Sequence, residues 1–244
     1  QDAVPKHCEP SPSRAKDTMR NLKRFGLLFT LLAAPLVAAD AGVALEPQVR
    51  SVWADARTNL LGAASLDGRY LSLVDIETGD LAVLDLETKD KIRLTSNPPD
   101  SKQFAYFSAI SPDSSHVAYA WFNEEEFYEL RLVSLADSKG QVQPGEPRVL
   151  ICNPEAGFVQ PCSWSPDGKQ ILTLLFRKDN ISQIALVSVQ DGSTKVLKSL
   201  NWVYPKKMGF SPDGRFIIYD STVKEGSDAR DIFLLSADGS SEVK

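Results

Sequence analysis

Four short phrases set a serine two residues ahead of an aspartate: Ser65-Leu66-Asp67-Gly68, Ser111-Pro112-Asp113-Ser114, Ser165-Pro166-Asp167-Gly168 and Ser211-Pro212-Asp213-Gly214. A hydroxyl beside a carboxylate is raw material for nucleophilic catalysis, but a serine nucleophile also needs a base. The chain has two histidines, His7 and His116. His7 falls in an N-terminal leader, and His116 opens the segment behind a turn, where it reads as a solvated turn histidine. No G-x-S-x-G elbow, H-E-x-x-H pair, Cys/His cluster or glycine-rich phosphate loop occurs. Asp67, Asp113, Asp167 and Asp213 recur at spacings of 46, 54 and 46. Carboxylates spread so evenly do not converge on one metal, so they read as turn caps. The expectation is no catalytic residue, no metal site and no cofactor.

Other charged and sulfur-bearing groups are weaker still. Glu124-Glu125-Glu126 lacks the alternating carboxylates and glycine bend of a calcium loop, and reads as a solvated loop tip. Arg177-Lys178-Asp179 occupies the matching place one period later. Cys8 lies in the leader. Cys152 and Cys162 are either a disulfide or two small buried hydrophobes, and we expect the latter, because one falls on an outer strand and the other on an inner one.

The elements that hold these phrases follow from the turn itself. Serine accepts a backbone N–H at position i of a type I turn, proline presets φ, aspartate suits i+2, and glycine takes the left-handed residue. Gly68, Gly168 and Gly214 satisfy the last requirement; Ser114 and Leu66 depart from the recipe, so those two turns are expected to be looser. Apolar runs flank each turn: FAYFSAI and HVAYAWF around the second, FVQPCSW and KQILTLLF around the third. A second phrase, LAVLDL, LRLVSL, IALVSV or IFLLSA, begins 16, 19, 19 and 21 residues after each serine. A last strand closes each period in KIRLT, PRVLI, TKVLKSL and SEVK. Each period is therefore four antiparallel strands. Its middle strands are apolar almost throughout, so both faces must be covered. Sheets of one kind packed face to face around an axis meet that need, which makes the fold all-β, a β-propeller of four-stranded antiparallel blades. Repeats fall near 54–96, 102–152, 157–200 and 203–244 within a domain spanning 46–244. About four blades are present and the native propeller is expected to have six or seven, with 46–53 an orphan outer strand.

Residues 19–39 form a separate segment. Arg20, Lys23 and Arg24 precede the apolar run from Phe25 to Ala39, and small residues follow. That is the pattern of a signal peptide, with a signal anchor as the rival. Residues 1–18 read as a polar linker or an over-extended start. Net charge is −5 over 244 residues. Without the first 39 it is −8, from 21 basic and 29 acidic side chains, which argues against nucleic acid and against anionic lipid.

The unit (W/F)SPDG(K/R), followed some twenty residues later by an apolar strand and a D-G turn, resembles the WD40-like repeat of TolB-type propellers. It is also similar to the propellers of prolyl oligopeptidase and dipeptidyl peptidase relatives. The resemblance implies an exported, periplasmic or secreted, non-catalytic scaffold that binds a protein or peptide. One alternative is the substrate-gating propeller of a serine peptidase whose catalytic domain lies beyond Lys244; another is a membrane-anchored sensor propeller. For a binding site, the rim away from the S-P-D-G turns offers Phe104 and Tyr106, Phe158 and Gln160, and Trp202 and Tyr204. Aromatics with a polar tip are good anchors, while packing between blades is the competing role.

Overall fold

The computed structural model describes residues 58–59, 61–98, 100–138, 141–201, 203–224 and 227–244. The leader, the 46–53 segment and Trp202 lie outside the described residues. Four separate antiparallel sheets follow one another along the chain. The first runs β1 (Thr58–Asn59), β2 (Tyr70–Asp75), β3 (Leu81–Asp85), β4 (Lys91–Arg93). The second is β5 (Phe104–Ile110), β6 (His116–Phe122) and β7 (Tyr128–Ser138), whose outer edge is shared by β8 (Gln141–Pro144) and β9 (Arg148–Cys152). The third is β10 (Ala156–Trp164), β11 (Gln170–Arg177), β12 (Ile181–Ser188), β13 (Thr194–Asn201). The fourth is β14 (Met208–Phe210), β15 (Phe216–Thr222), β16 (Arg230–Ser236), β17 (Glu242–Val243).

One strand was not foreseen. β7 runs on past its blade, and its far half, Leu135–Ser138, pairs with β8, while Glu129–Leu132 pair with β9. The extra strand accounts for the longer spacing, 54 residues rather than 46, between Ser111 and Ser165.

The four turns share one hydrogen-bond pattern. Ser65, Ser111, Ser165 and Ser211 donate through Oγ to their aspartates at 2.5, 2.6, 2.7 and 2.6 Å. The same hydroxyls accept the N–H of Tyr70, His116, Gln170 and Phe216 at 2.8–3.0 Å. Each aspartate then accepts the N–H two residues on, at 3.0 or 3.1 Å. The expectation that the Leu66 and Ser114 copies are looser is corrected. Ser114 adopts φ 57°, beside 70–72° at Gly68, Gly168 and Gly214, and its N–H reaches Ser111 O at 2.9 Å. The bonds made by the Ser–Asp pair impose the left-handed residue, and a serine there accepts the strain, about 1–2 kcal/mol.

Consecutive sheets pack face to face. Tyr70, Leu81 and Val83 of the first meet Val117, Tyr119 and Val133 of the second. Leu130 and Leu132 meet Val159, Trp164 and Ile171 of the third. Leu172, Ile184 and Leu186 meet Ile217, Tyr219 and Leu235 of the fourth. Two polar pins cross these faces: Ser108 Oγ donates to Ser72 Oγ at 2.9 Å, and Trp164 Nε1 donates to Ala109 O at 3.0 Å. The innermost segments of all four sheets line one axial cavity of about 280 Å³: Leu61–Ala63, Phe107–Ser108, Gln160–Cys162 and Pro205–Met208. Wedged sheets with their first strands toward a common axis form a β-propeller. The far face of the fourth sheet is open: Ile218 and Ile232 are 41% and 65% exposed, whereas Leu172 and Ile184, one period earlier, are fully buried.

Candidate binding rim

Strand direction gives the propeller two rims. The S-P-D-G turns lie on one. The other carries the segments leading into the first strands and the loops between second and third strands. On this second rim, Phe104 begins β5 and Phe158 stands near the start of β10. Antiparallel register sets Phe104 opposite Phe122, and Phe122 opposite Tyr128, so three aromatics of the second blade share one end of the sheet. The third blade then brings Phe158 against them.

The outcome is a continuous aromatic cluster. Phe104 and Phe122 stack at 5.1 Å; Tyr128 lies 4.8 Å from Phe158, edge to face. Tyr106 is 5.9 Å and Phe107 5.6 Å from Phe158, both edge to face. Each such pair contributes roughly 0.5–1.5 kcal/mol beyond its buried area, so the cluster is a rigid joint between two blades. Phe104, Tyr106, Phe107, Phe122, Tyr128 and Phe158 all remain partly exposed. Burial pushes the Tyr128 hydroxyl above its ordinary range, so it stays a neutral donor.

Beside the cluster opens an apolar cleft of about 300 Å³, lined by Phe107, Phe158, Gln160, Leu174, Phe176 and Tyr204. Phe107 and Gln160 also line the axial cavity, so cleft and axis are contiguous. Tyr204 is 55% exposed at the mouth. Pro205 behind it is buried, and Arg230 Nη2 donates to Tyr204 O at 3.0 Å, which fixes the backbone that presents the ring. The sequence candidates thus divide. Phe104 and Tyr106 belong to the inter-blade joint, Gln160 and Tyr204 line the cleft, and Phe158 does both. Phe107, Leu174 and Phe176 were missed, because only strand register and blade packing reveal which face they share.

Glu124, Glu125 and Glu126 are all exposed on this rim, in a turn held by Asn123, whose Oδ1 accepts the N–H of Glu125 and Phe127. Arg177 and Asp179 form a two-point ion pair in the next blade's equivalent loop.

The remaining groups bear on catalysis. His116 Nδ1 lies 2.7 Å from Ser115 Oγ, which donates to Asp113 Oδ1 at 2.7 Å. This chain of contacts lies within one turn, its serine locked by the turn's own carboxylate. The Ser111 and Ser211 hydroxyls hold Asp113 and Asp213 down at about 2, and Ser65 and Ser165 lower Asp67 and Asp167 in the same way. Such carboxylates are poor proton acceptors near neutrality. Cys152 and Cys162 are both free thiols. Cys152 is exposed, which corrects its reading as a buried hydrophobe. Burial pushes the Cys162 thiol up to about 12, far from a nucleophile's range. Among the described residues no group of three or more His, Cys, Asp or Glu is placed to hold a metal ion.

No family model matches the chain, and no curated protein matches it either. Solved structures do. A putative TolB from Agrobacterium tumefaciens superposes with TM-score 0.58 at 24% identity, over 79% of this chain and 63% of that one. TolB from Acinetobacter baumannii gives TM-score 0.51 at 20% identity, over 73% and 41%. A puromycin hydrolase gives 0.52 at 16% identity, over 72% and 28%. The chain thus spans less than two thirds of the length of each of these structures. At these identities the likeness is one of fold: the described sheets are the blades of a β-propeller similar to those of TolB-type proteins.

Proposed function

We propose that the protein is a non-catalytic binding scaffold, exported to the periplasm or secreted, whose aromatic rim takes a protein or peptide partner. The observation that carries this reading is the open cleft of Phe107, Phe158, Phe176 and Tyr204 beside a rigid ring cluster. Rigid aromatics with a polar edge, at the mouth of a concave site, are what interface hot spots require. Phe158 and Tyr204 are the apolar anchors, and Gln160 is the polar reader of a backbone or side-chain amide. Phe104 and Tyr106 support them. The leader at 19–39 and the TolB-type fold support export.

The test is photo-crosslinking in the producing cell, with a photoreactive phenylalanine at Tyr204 or at Leu66. Leu66 is 81% exposed on the opposite rim. A discrete adduct from position 204 and none from 66 is the expected result. Equal adducts from both positions, or none from either, overturn the proposal. A second reading, a gating propeller of a serine hydrolase, draws on the likeness to puromycin hydrolase, 28% of whose chain is matched. A G-x-S-x-G elbow in the same open reading frame downstream of Lys244 would favour it.

A further inference from the structure

The second blade's extra strand builds a second cleft, on the outer side of the propeller. It encloses about 430 Å³ between the outer edge of the first blade and the second. Arg93 and Ser96 line one wall, Trp121 and Arg131 the floor, and Pro144–Pro147 the other wall. That last segment joins β8 to β9, so the blade without the extra strand would have no such wall.

Both arginines are held from behind. Arg131 donates through Nε to Glu129 Oε2 at 2.6 Å, and Glu129 Oε1 accepts from Asn123 Nδ2 at 2.9 Å. The Arg131 guanidinium lies 4.8 Å over the Trp121 ring, whose Nε1 is fixed by Gln103 at 3.0 Å. Arg93 Nε lies 3.5 Å from Asp80 Oδ2. Asp80 is fully buried, and its other oxygen accepts from Thr95 Oγ1 and Asn97 N–H at 2.9 and 2.8 Å. That leaves Arg93's two terminal nitrogens without a hydrogen bond among the described residues, on a side chain 54% exposed.

A guanidinium fork with free terminal nitrogens, backed by a second pre-positioned one, recognises an oxyanion. The charge balance narrows the class. Asp80 offsets Arg93 and Glu129 offsets Arg131, so the exposed Glu146 leaves the cleft with a small negative excess. A dianion is disfavoured there; a ligand that carries a carboxylate yet no net negative charge is favoured. We propose that this cleft binds a small zwitterion, of amino-acid or dipeptide size, with its carboxylate on Arg93 and Arg131 and its ammonium toward Glu146.

The test is calorimetric titration of the full chain with L-alanyl-L-alanine, its C-terminal amide, its N-acetyl derivative and inorganic phosphate. Binding of the dipeptide, with at least tenfold weaker binding of the other three, is the expected result. Arg93→Lys keeps the charge beside buried Asp80 but loses the fork, and is expected to cost about tenfold. Glu146→Gln, on an exposed loop, is expected to leave folding intact and to erase the preference for the free amine over the N-acetyl derivative. No binding of the dipeptide, equal binding of phosphate or the amide, or an unchanged affinity in both variants overturns the proposal.

Discussion

Replacing Trp164 by phenylalanine probes how the blades are joined. Its indole is 6% exposed within the cluster between the second and third sheets, and Nε1 donates to Ala109 O of the neighbouring blade at 3.0 Å. The fourth blade already carries Phe210 at the equivalent place, so the change brings no overpacking. The lost bond costs about 1 kcal/mol net, and the Ala109 carbonyl left without that donor raises this toward 2. The smaller ring adds about 1 kcal/mol for lost burial and the residual void. A total of about 2–3 kcal/mol follows, and at 2–4 °C per kcal/mol for a fold of this size the melting midpoint falls by about 5–10 °C. Differential scanning calorimetry reads the shift directly, and urea titration should move in step. A fall of less than about 2 °C would refute both the buried cross-blade bond and the argument that the sheets close on one another's faces.

Other consequences are equally open to measurement. Ser114→Gly relieves a left-handed serine at φ 57° and is expected to raise stability by roughly 0.5–1 kcal/mol, read by urea titration; destabilisation would show that the Ser114 side chain matters more than its backbone. The Ser111 hydroxyl holds Asp113 at about 2, so the stabilisation from that carboxylate is complete above its unfolded value of about 3.9 and disappears as pH falls through 2. Ser111→Ala should therefore raise the Asp113 titration seen by carboxyl NMR and shift acid unfolding to higher pH; an unmoved titration contradicts the role given to the hydroxyl. In a Cys8→Ser background, a thiol reagent should label exposed Cys152 in the native protein faster than half-buried Cys162, whose thiol stays protonated. Labelling of both at one rate would argue against the axial placement of Cys162.

How much of this was legible in the residues depends on the range of the physics involved. S-P-D-G is a local recipe, closed by bonds within five residues, so it marks each hairpin without tertiary help. The same locality hid β8. Gln141–Pro144 carries no apolar run, and it becomes a strand only because β7 overshoots its blade and offers Leu135–Ser138 as a template. Ser114 shows the converse. Composition argued for a looser turn, but the Ser111–Asp113 bonds outweigh a cost of about 1–2 kcal/mol in the left-handed region. At the rim, Phe158 and Tyr204 stood out by type and position. Phe107 and Phe176 did not, because their meeting requires the register of two blades and the packing of one on the other. The Arg93 and Arg131 cleft was out of reach for the same reason: its two forks belong to different sheets and its wall to an unforeseen insertion.

The claim that carries the rest is that each repeat is a separate sheet stacked on its neighbour, and methyl NOE spectroscopy addresses it most directly. Cross-peaks are expected between the Ala109 methyl of β5 and the Trp164 indole N–H of β10, which donates to Ala109 O at 3.0 Å between the second and third sheets, with no Hα–Hα ladder linking β9 to β10. A β9–β10 ladder without the Ala109–Trp164 contact would mean one continuous sheet, and would contradict the propeller and the rim built on it.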